Sequence, residues 1–133
     1  MAPSLIILVV EDEALIQEML ETALVEAGFQ VATASSGEEA IAKFDANEAD
    51  YRALITDVNL GAGKKGWDVA KRGRELHSDL PVIYMTGDSG HLWASEGVPN
   101  SVLLLKPFTP VQVATVLAQL LNAGSNPLPS SPG

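Results

Sequence analysis

Glu11 and Asp12 stand directly after the apolar run Leu5–Val10, Asp57 closes the run Ala53–Ile55 after Thr56, Thr86 follows Val82–Met85, and Lys106 follows Val102–Leu105. Three carboxylates drawn into one crevice repel one another unless a cation sits among them. An all-oxygen cluster with neither His nor Cys suits Mg2+ rather than zinc. A lysine and a hydroxyl beside that cluster make a site for a phosphoryl group in transfer. Mg2+ and Lys106 would neutralise its equatorial oxygens, Thr86 would donate a hydrogen bond, and one carboxylate would act as nucleophile.

Such convergence needs elements that end at one edge. The four apolar runs are continuous rather than alternating, as expected of strands buried on both faces of a parallel sheet, and a weaker fifth, Gln30–Ala34, reads as an edge strand. Each interval between strands is long enough for a helix. The first, roughly Glu13 to Ala27, would bury Ile16, Leu20, Ala23 and Leu24 and end at Gly28. Ser36 and Glu39 form a capping box for a second, and a third runs from about Trp67 to Leu76. The fourth, within Ser89 to Glu96, is short and flanked by Gly90, Gly97 and Pro99. The last has Thr109 as N-cap, Pro110 at the first position and Gln112 three after the cap, with an apolar face from Val113 to Leu121 and a stop near Asn122-Ala123-Gly124. Five strands alternating with five helices predict a doubly wound α/β domain of flavodoxin-like type, a five-stranded parallel sheet of order 2-1-3-4-5. Ligands in such folds collect outside the carboxyl ends of the strands, where the chemical residues stand.

Composition narrows the partners. The 133 residues suit one domain, spanning 1–123, and residues 124–133, with three prolines and three serines, are expected to form a disordered tail or linker stub. Eight Lys and Arg against 17 Asp and Glu leave a net charge of −9, which disfavours direct contact with nucleic acid or an anionic membrane. The absence of cysteine excludes disulfides, thiolate metal sites and cysteine nucleophiles. No apolar run approaches a membrane span, and the N-terminus lacks the layout of a secretory signal, so a cytoplasmic location is expected.

Other groups invite blander readings. Gly61-Ala62-Gly63-Lys64-Lys65-Gly66 lacks the spacing of a phosphate-binding loop and the hydroxyl residue after its lysine, so it reads as a flexible loop. Lys64, Lys65, Lys71, Arg72 and Arg74 form a local basic patch, expected to be a solvated helix face. His77 and His91 are solitary and not spaced for a metal. Trp67 is expected in part of the core and Trp93 nearer the surface.

Taken in order, Val9-Val10-Glu11-Asp12-Glu13, Thr56-Asp57-Val58-Asn59-Leu60, Gly66, Met85-Thr86-Gly87 and Lys106-Pro107-Phe108 resemble the receiver domain of bacterial two-component response regulators over about residues 4 to 122. The resemblance implies that Asp57 is the phosphoacceptor, with Asp12 a direct Mg2+ ligand, Glu11 reaching the ion through water, and the backbone carbonyl of Asn59 near it. Thr86 and Lys106 become the other catalytic groups, and the Lys106-Pro107 bond is implied to be cis, aiming the ammonium into the crevice. The implied donor is a phosphohistidine on a sensor kinase or phosphotransfer protein. Asn59 and Asp88, two positions after Asp57 and Thr86, are the implied tuners of dephosphorylation, which an amide and a carboxylate there would make moderate to fast. Leu103 stands where many receivers carry an aromatic switch, so the output surface is not carried over, and Tyr84-Met85-Thr86-Gly87 is similar to a subgroup lacking that switch. In that subgroup the loop Gly87 to Gly97 is the candidate element of rearrangement.

The leading expectation is therefore a stand-alone receiver that signals by altered contacts with a downstream protein, a phosphoacceptor with self-phosphorylation and self-dephosphorylation chemistry rather than an enzyme. A homodimer stays open. The alternatives are the receiver module of a hybrid histidine kinase and an interaction module that carries no phosphate. A phosphatase forming an aspartyl phosphate would usually place a second acid where Asn59 stands.

Overall fold

The computed structural model describes residues 5–47 and 49–125. The elements in chain order are β1 (Leu5–Val10), α1 (Ala14–Glu26), β2 (Gln30–Ala34), α2 (Gly37–Ala46), β3 (Asp50–Asp57), α3 (Gly66–Leu76), β4 (Val82–Thr86), a single 3-10 turn (Gly90–Leu92) running into α4 (Trp93–Glu96), β5 (Val102–Leu105) and α5 (Pro110–Ser125). All strand pairs are parallel and the order is β2-β1-β3-β4-β5, the flavodoxin-like arrangement expected.

Alternate strand residues feed two cores because successive side chains point to opposite faces. Leu8, Val10, Leu54 and Tyr84 meet Ala40 and Phe44 of α2 and Val69 and Ala70 of α3 on one face. Ile7, Val9, Ile55, Ile83 and Met85 meet Leu20 and Leu24 of α1 and Val113 and Leu117 of α5 on the other. Burial on both faces is why these strands read as unbroken apolar runs. Trp67 lies in the first core, its ring 4.7 Å from that of Tyr84, whose hydroxyl accepts the Val98 N–H at 3.0 Å.

The helix starts follow their side-chain chemistry. The Glu39 N–H donates to Ser36 Oγ at 3.0 Å, while the Glu39 carboxylate accepts from the Ser35 N–H at 2.8 Å, one residue before the cap. Thr109 and Gln112 cap α5 reciprocally: the Gln112 N–H donates to Thr109 Oγ1, and the Thr109 N–H to Gln112 Oε1. Gly28, at φ +100, takes the left-handed turn after α1.

Three expectations need correction. β3 begins at Asp50, where exposed Asp50 and Arg52 alternate with buried Tyr51, because pairing with β1 extends beyond the apolar run. β5 is half-buried with Leu105 exposed, since it forms the second edge of the sheet and is covered only in part. α5 runs one residue past Gly124, to Ser125. Of the expected tail, 124 and 125 are therefore helical, and 126–133 lie outside the described residues. Among the described residues, no helix is long and apolar enough to cross a membrane.

The start of α3 is pressed against the end of β3. The Gly66 N–H donates to the Val58 carbonyl at 2.9 Å, and a Cβ at Gly66 would collide with the Asp57 carbonyl oxygen and meet Val58 Cα at 2.9 Å. Neither is a flexible side chain that could swing away. Gly66→Ala is expected to lower the free energy of unfolding by about 1–3 kcal/mol, the scale of overpacking a tight site. Urea denaturation measures it, and an unchanged midpoint would refute this tight contact.

Candidate functional site

The sheet register brings the chemical residues to one edge. Val10 pairs with Thr56 and Asp57 with Met85, so Glu11 and Asp57 leave adjacent strands at one level. Thr86 pairs with Leu105, and the Lys106 N–H donates to the Thr86 carbonyl at 2.9 Å. The Lys106-Pro107 peptide bond is cis, and Lys106 Nζ lies 3.3 Å from Asp57 Oδ2.

Glu11 and Asp12, adjacent in sequence, occupy unlike environments. The Glu11 N–H continues the β1–β2 pairing by donating to the Ala34 carbonyl at 3.0 Å, which keeps its side chain fully buried, whereas Asp12 is exposed. One oxygen from each of Glu11, Asp12 and Asp57 lies within 4.8 Å of the others. Glu11 Oε2 accepts the Glu13 N–H at 3.1 Å, but Oε1 is buried without a partner. An orphaned buried oxygen is costly, and a hard divalent cation among these three carboxylates would both satisfy it and cancel their repulsion. The donor set therefore fits such an ion.

The electrostatics of the cluster follow from burial. Loss of solvent pushes the Glu11 carboxyl up to about 7 against the Glu13 N–H, with the Asp57 charge adding to the rise. Asp57 is also raised, chiefly by burial, although the Lys106 ammonium and the Asn59 backbone N–H hold it down. Burial pulls Lys106 down, but the carboxylates of Asp57, Glu11 and Glu13 outweigh it and leave the ammonium above its ordinary value. The result is a shielded carboxylate, 7% exposed at its side chain, beside a permanent positive charge.

Thr86 is fully buried, and its Oγ1 accepts the Ser89 N–H at 3.0 Å. Across the crevice the exposed Asn59 donates from Nδ2 to Asp88 Oδ1 at 3.1 Å and to Ser89 Oγ at 3.3 Å. Asn59 and Asp88 are thus in direct contact. Leu103 packs half-buried against the core that holds Tyr84.

The other sequence features separate from the site. Residues 61–65 form a loop and Gly66 begins α3, and the loop touches α2 where the Glu38 carboxylate accepts the Lys64 N–H at 3.0 Å. Of the basic patch, Lys64, Lys65 and Lys71 are exposed as expected, while the two arginines are engaged. Arg72 pairs with Asp45 and Glu75, Lys71 with Glu96, and Arg74 donates to the carbonyls of Leu80, Pro99 and Asn100. Arg74 is a fastening between α3 and the following loops rather than a solvated charge. His91 is exposed, His77 ends α3, and Trp93 is half-exposed with Nε1 donating to Ser101 Oγ. Sequence reasoning missed Ser89 and Gln17. The Gln17 Nε2 donates to the carbonyls of Glu11 and Ala34, steadying the end of β1. A lone Ser or Gln carries no spacing signal by which either could be found.

Comparison with known proteins agrees with this geometry. Residues 7–118 match the family model of the response regulator receiver domain. A probable transcriptional regulator, ycf27, of Cyanophora paradoxa is 32% identical over 123 residues, 91% of this chain and 50% of that protein. The chain spans about half the length of the curated relatives it matches. A response regulator receiver protein from Sinorhizobium medicae WSM419 superposes with a TM-score of 0.85 at 39% identity, covering 90% of this chain and 96% of that one. The response regulator TrrA from Thermotoga maritima, solved in complex with Mg2+ and BeF, gives a TM-score of 0.74 at 30% identity over 87% of this chain and 98% of that one.

Proposed function

The chain belongs to the response regulator receiver family of two-component systems, and from that premise we propose that Asp57 accepts a phosphoryl group from a phosphohistidine of a sensor histidine kinase or phosphotransfer protein. The observation that carries this reading is the placement of one shielded carboxylate between an acidic pair and the Lys106 ammonium at 3.3 Å.

An Asp57 oxygen attacks phosphorus, the bond from phosphorus to the imidazole nitrogen breaks, and the donor histidine leaves with that electron pair. Lys106 offsets negative charge on the transferred oxygens, and Thr86, whose Oγ1 accepts the Ser89 N–H, keeps its own O–H to donate to one of them. Mg2+, when bound, would neutralise a further share of that charge, with Glu11, Asp12, Asp57 and the backbone carbonyl of Asn59 as its holders. Water then attacks phosphorus in line, the bond from phosphorus to Asp57 breaks, and inorganic phosphate is released. Asn59 and Asp88 flank that approach.

The protein is in this reading a stoichiometric phosphoacceptor rather than a turnover enzyme, since Asn59 supplies no second acid. The output is a change of contact with a downstream protein, carried by the Gly87–Gly97 segment that Thr86 reaches through Ser89. A cytoplasmic location accords with this role.

Intact mass after incubation with acetyl phosphate tests the reading. One phosphoryl adduct is expected with Mg2+ and none with EDTA. No adduct on protein that holds Mg2+ and binds beryllofluoride no better than buffer would overturn it.

A further inference from the structure

Ser89 is the residue through which two parts of the site meet. Its backbone N–H donates to Thr86 Oγ1 at 3.0 Å. Its hydroxyl donates to Asp88 Oδ1 at 3.3 Å and accepts from Asn59 Nδ2 at the same distance, while Asn59 Nδ2 also reaches Asp88 Oδ1 at 3.1 Å. The three side chains close a triangle between the loop after β3 and the loop after β4, whose strands are neighbours in the sheet.

Both Asn59 and Asp88 are exposed, so water competes for every bond they make. A single amide-to-carboxylate bond on a surface opens readily, whereas a third member that both donates and accepts ties the pair down on two sides. While tied, Asn59 Nδ2 and Asp88 Oδ1 are engaged within the clasp, and the two side chains are held facing each other rather than a water approaching phosphorus.

We propose that Ser89 is a positioning residue for loss of the phosphoryl group: its hydroxyl closes the Asn59–Asp88–Ser89 clasp and thereby slows hydrolysis of phosphorylated Asp57. This rests on the reading of Asp57 as phosphoacceptor and deepens it. Ser89 makes no hydrogen bond to Asp57 or Lys106, so its hydroxyl bears on departure of the group and not on its arrival.

The test loads wild type, Ser89→Ala and Ser89→Thr with acetyl phosphate and Mg2+, removes the donor, and follows the intact mass. Ser89→Ala is expected to lose its adduct about three- to tenfold faster, the scale of one hydrogen bond. Ser89→Thr keeps a hydroxyl on Cβ and is expected to decay within about twofold of wild type, since the donor and acceptor survive. The rate of adduct formation is expected to be common to all three, a split that a general loss of structure would not produce. Equal or slower decay in Ser89→Ala overturns the inference, as does Ser89→Thr decaying as fast as Ser89→Ala. A wild type that takes no adduct overturns the Asp57 reading itself, and the clasp with it.

Discussion

Asp57→Asn is expected to take up no phosphoryl group from acetyl phosphate under conditions that load wild type with one, and in EDTA to melt no lower than wild type. The first half follows from chemistry: the amide is no nucleophile at phosphorus, and no neighbouring carboxylate can stand in. Glu11 spends one oxygen on the Glu13 N–H and is fully buried, and the Lys106 ammonium is paired with Asp57 rather than with Asp12. The second half follows from electrostatics. Burial raises the Asp57 carboxyl, with the Asp12 charge adding to it, so its ionised form is held at a cost to the metal-free fold. Asparagine has the same shape without the charge, and Lys106, 31% exposed at its side chain, can turn to water. An adduct of the same mass on Asp57→Asn would move the reaction to another residue and sink the assignment.

The second large effect concerns Glu11 and pH. Its carboxyl titrates near 4.5 in the unfolded chain and at about 7 in the folded one. Between those values the folded state retains a proton that the unfolded state has released, so stability is highest below about 4.5 with respect to this group and declines as pH rises toward 7. The shift corresponds to about 3 kcal/mol across the window. A cation that needs the ionised carboxylate competes with that proton, so Mg2+ affinity is expected to weaken by about tenfold from pH 8 to pH 6. Calorimetric titration of the metal and thermal melts in EDTA read the two sides of this linkage. Glu11→Gln should flatten the melting profile between pH 5 and 7.5. If wild type without metal shows no decline relative to Glu11→Gln across that range, Glu11 does not carry the linkage.

These effects depend on features that were legible in the sequence to different depths. Glu11, Asp12, Asp57, Thr86 and Lys106 were readable as a set because each follows an apolar run, and strand ends in a parallel sheet share one edge. The capping residues Ser36 and Thr109 marked their helices because a side-chain oxygen three residues from an amide is a local matter. The resemblance separated the two adjacent acids by role, and the fold separates them by burial. Glu11 still pairs with Ala34 and is drawn inside, while Asp12 has already left the sheet. Arg74 looked like the exposed lysines of its patch because its partners are backbone carbonyls, which leave no mark in the sequence. The clasp was equally hidden: Asn59 and Ser89 meet only because β3 and β4 are paired in one register and both loops turn over the same edge.

The strand order carries a consequence for biosynthesis. Glu11 follows the first strand of the chain and Lys106 the last, and β3, which brings Asp57, pairs directly with β1 across the intervening β2 unit. No stretch of the nascent polypeptide holds a working constellation by itself, since the carboxylates emerge well before the lysine that balances them. A chain halted before β5 would display the Glu11, Asp12 and Asp57 cluster without the Lys106 ammonium that faces it, and an open strand edge on β4. Competence to receive a signal is thus acquired only once β5 and Lys106 have been made, and a copy that stops short of them has no means of answering on behalf of one that has them.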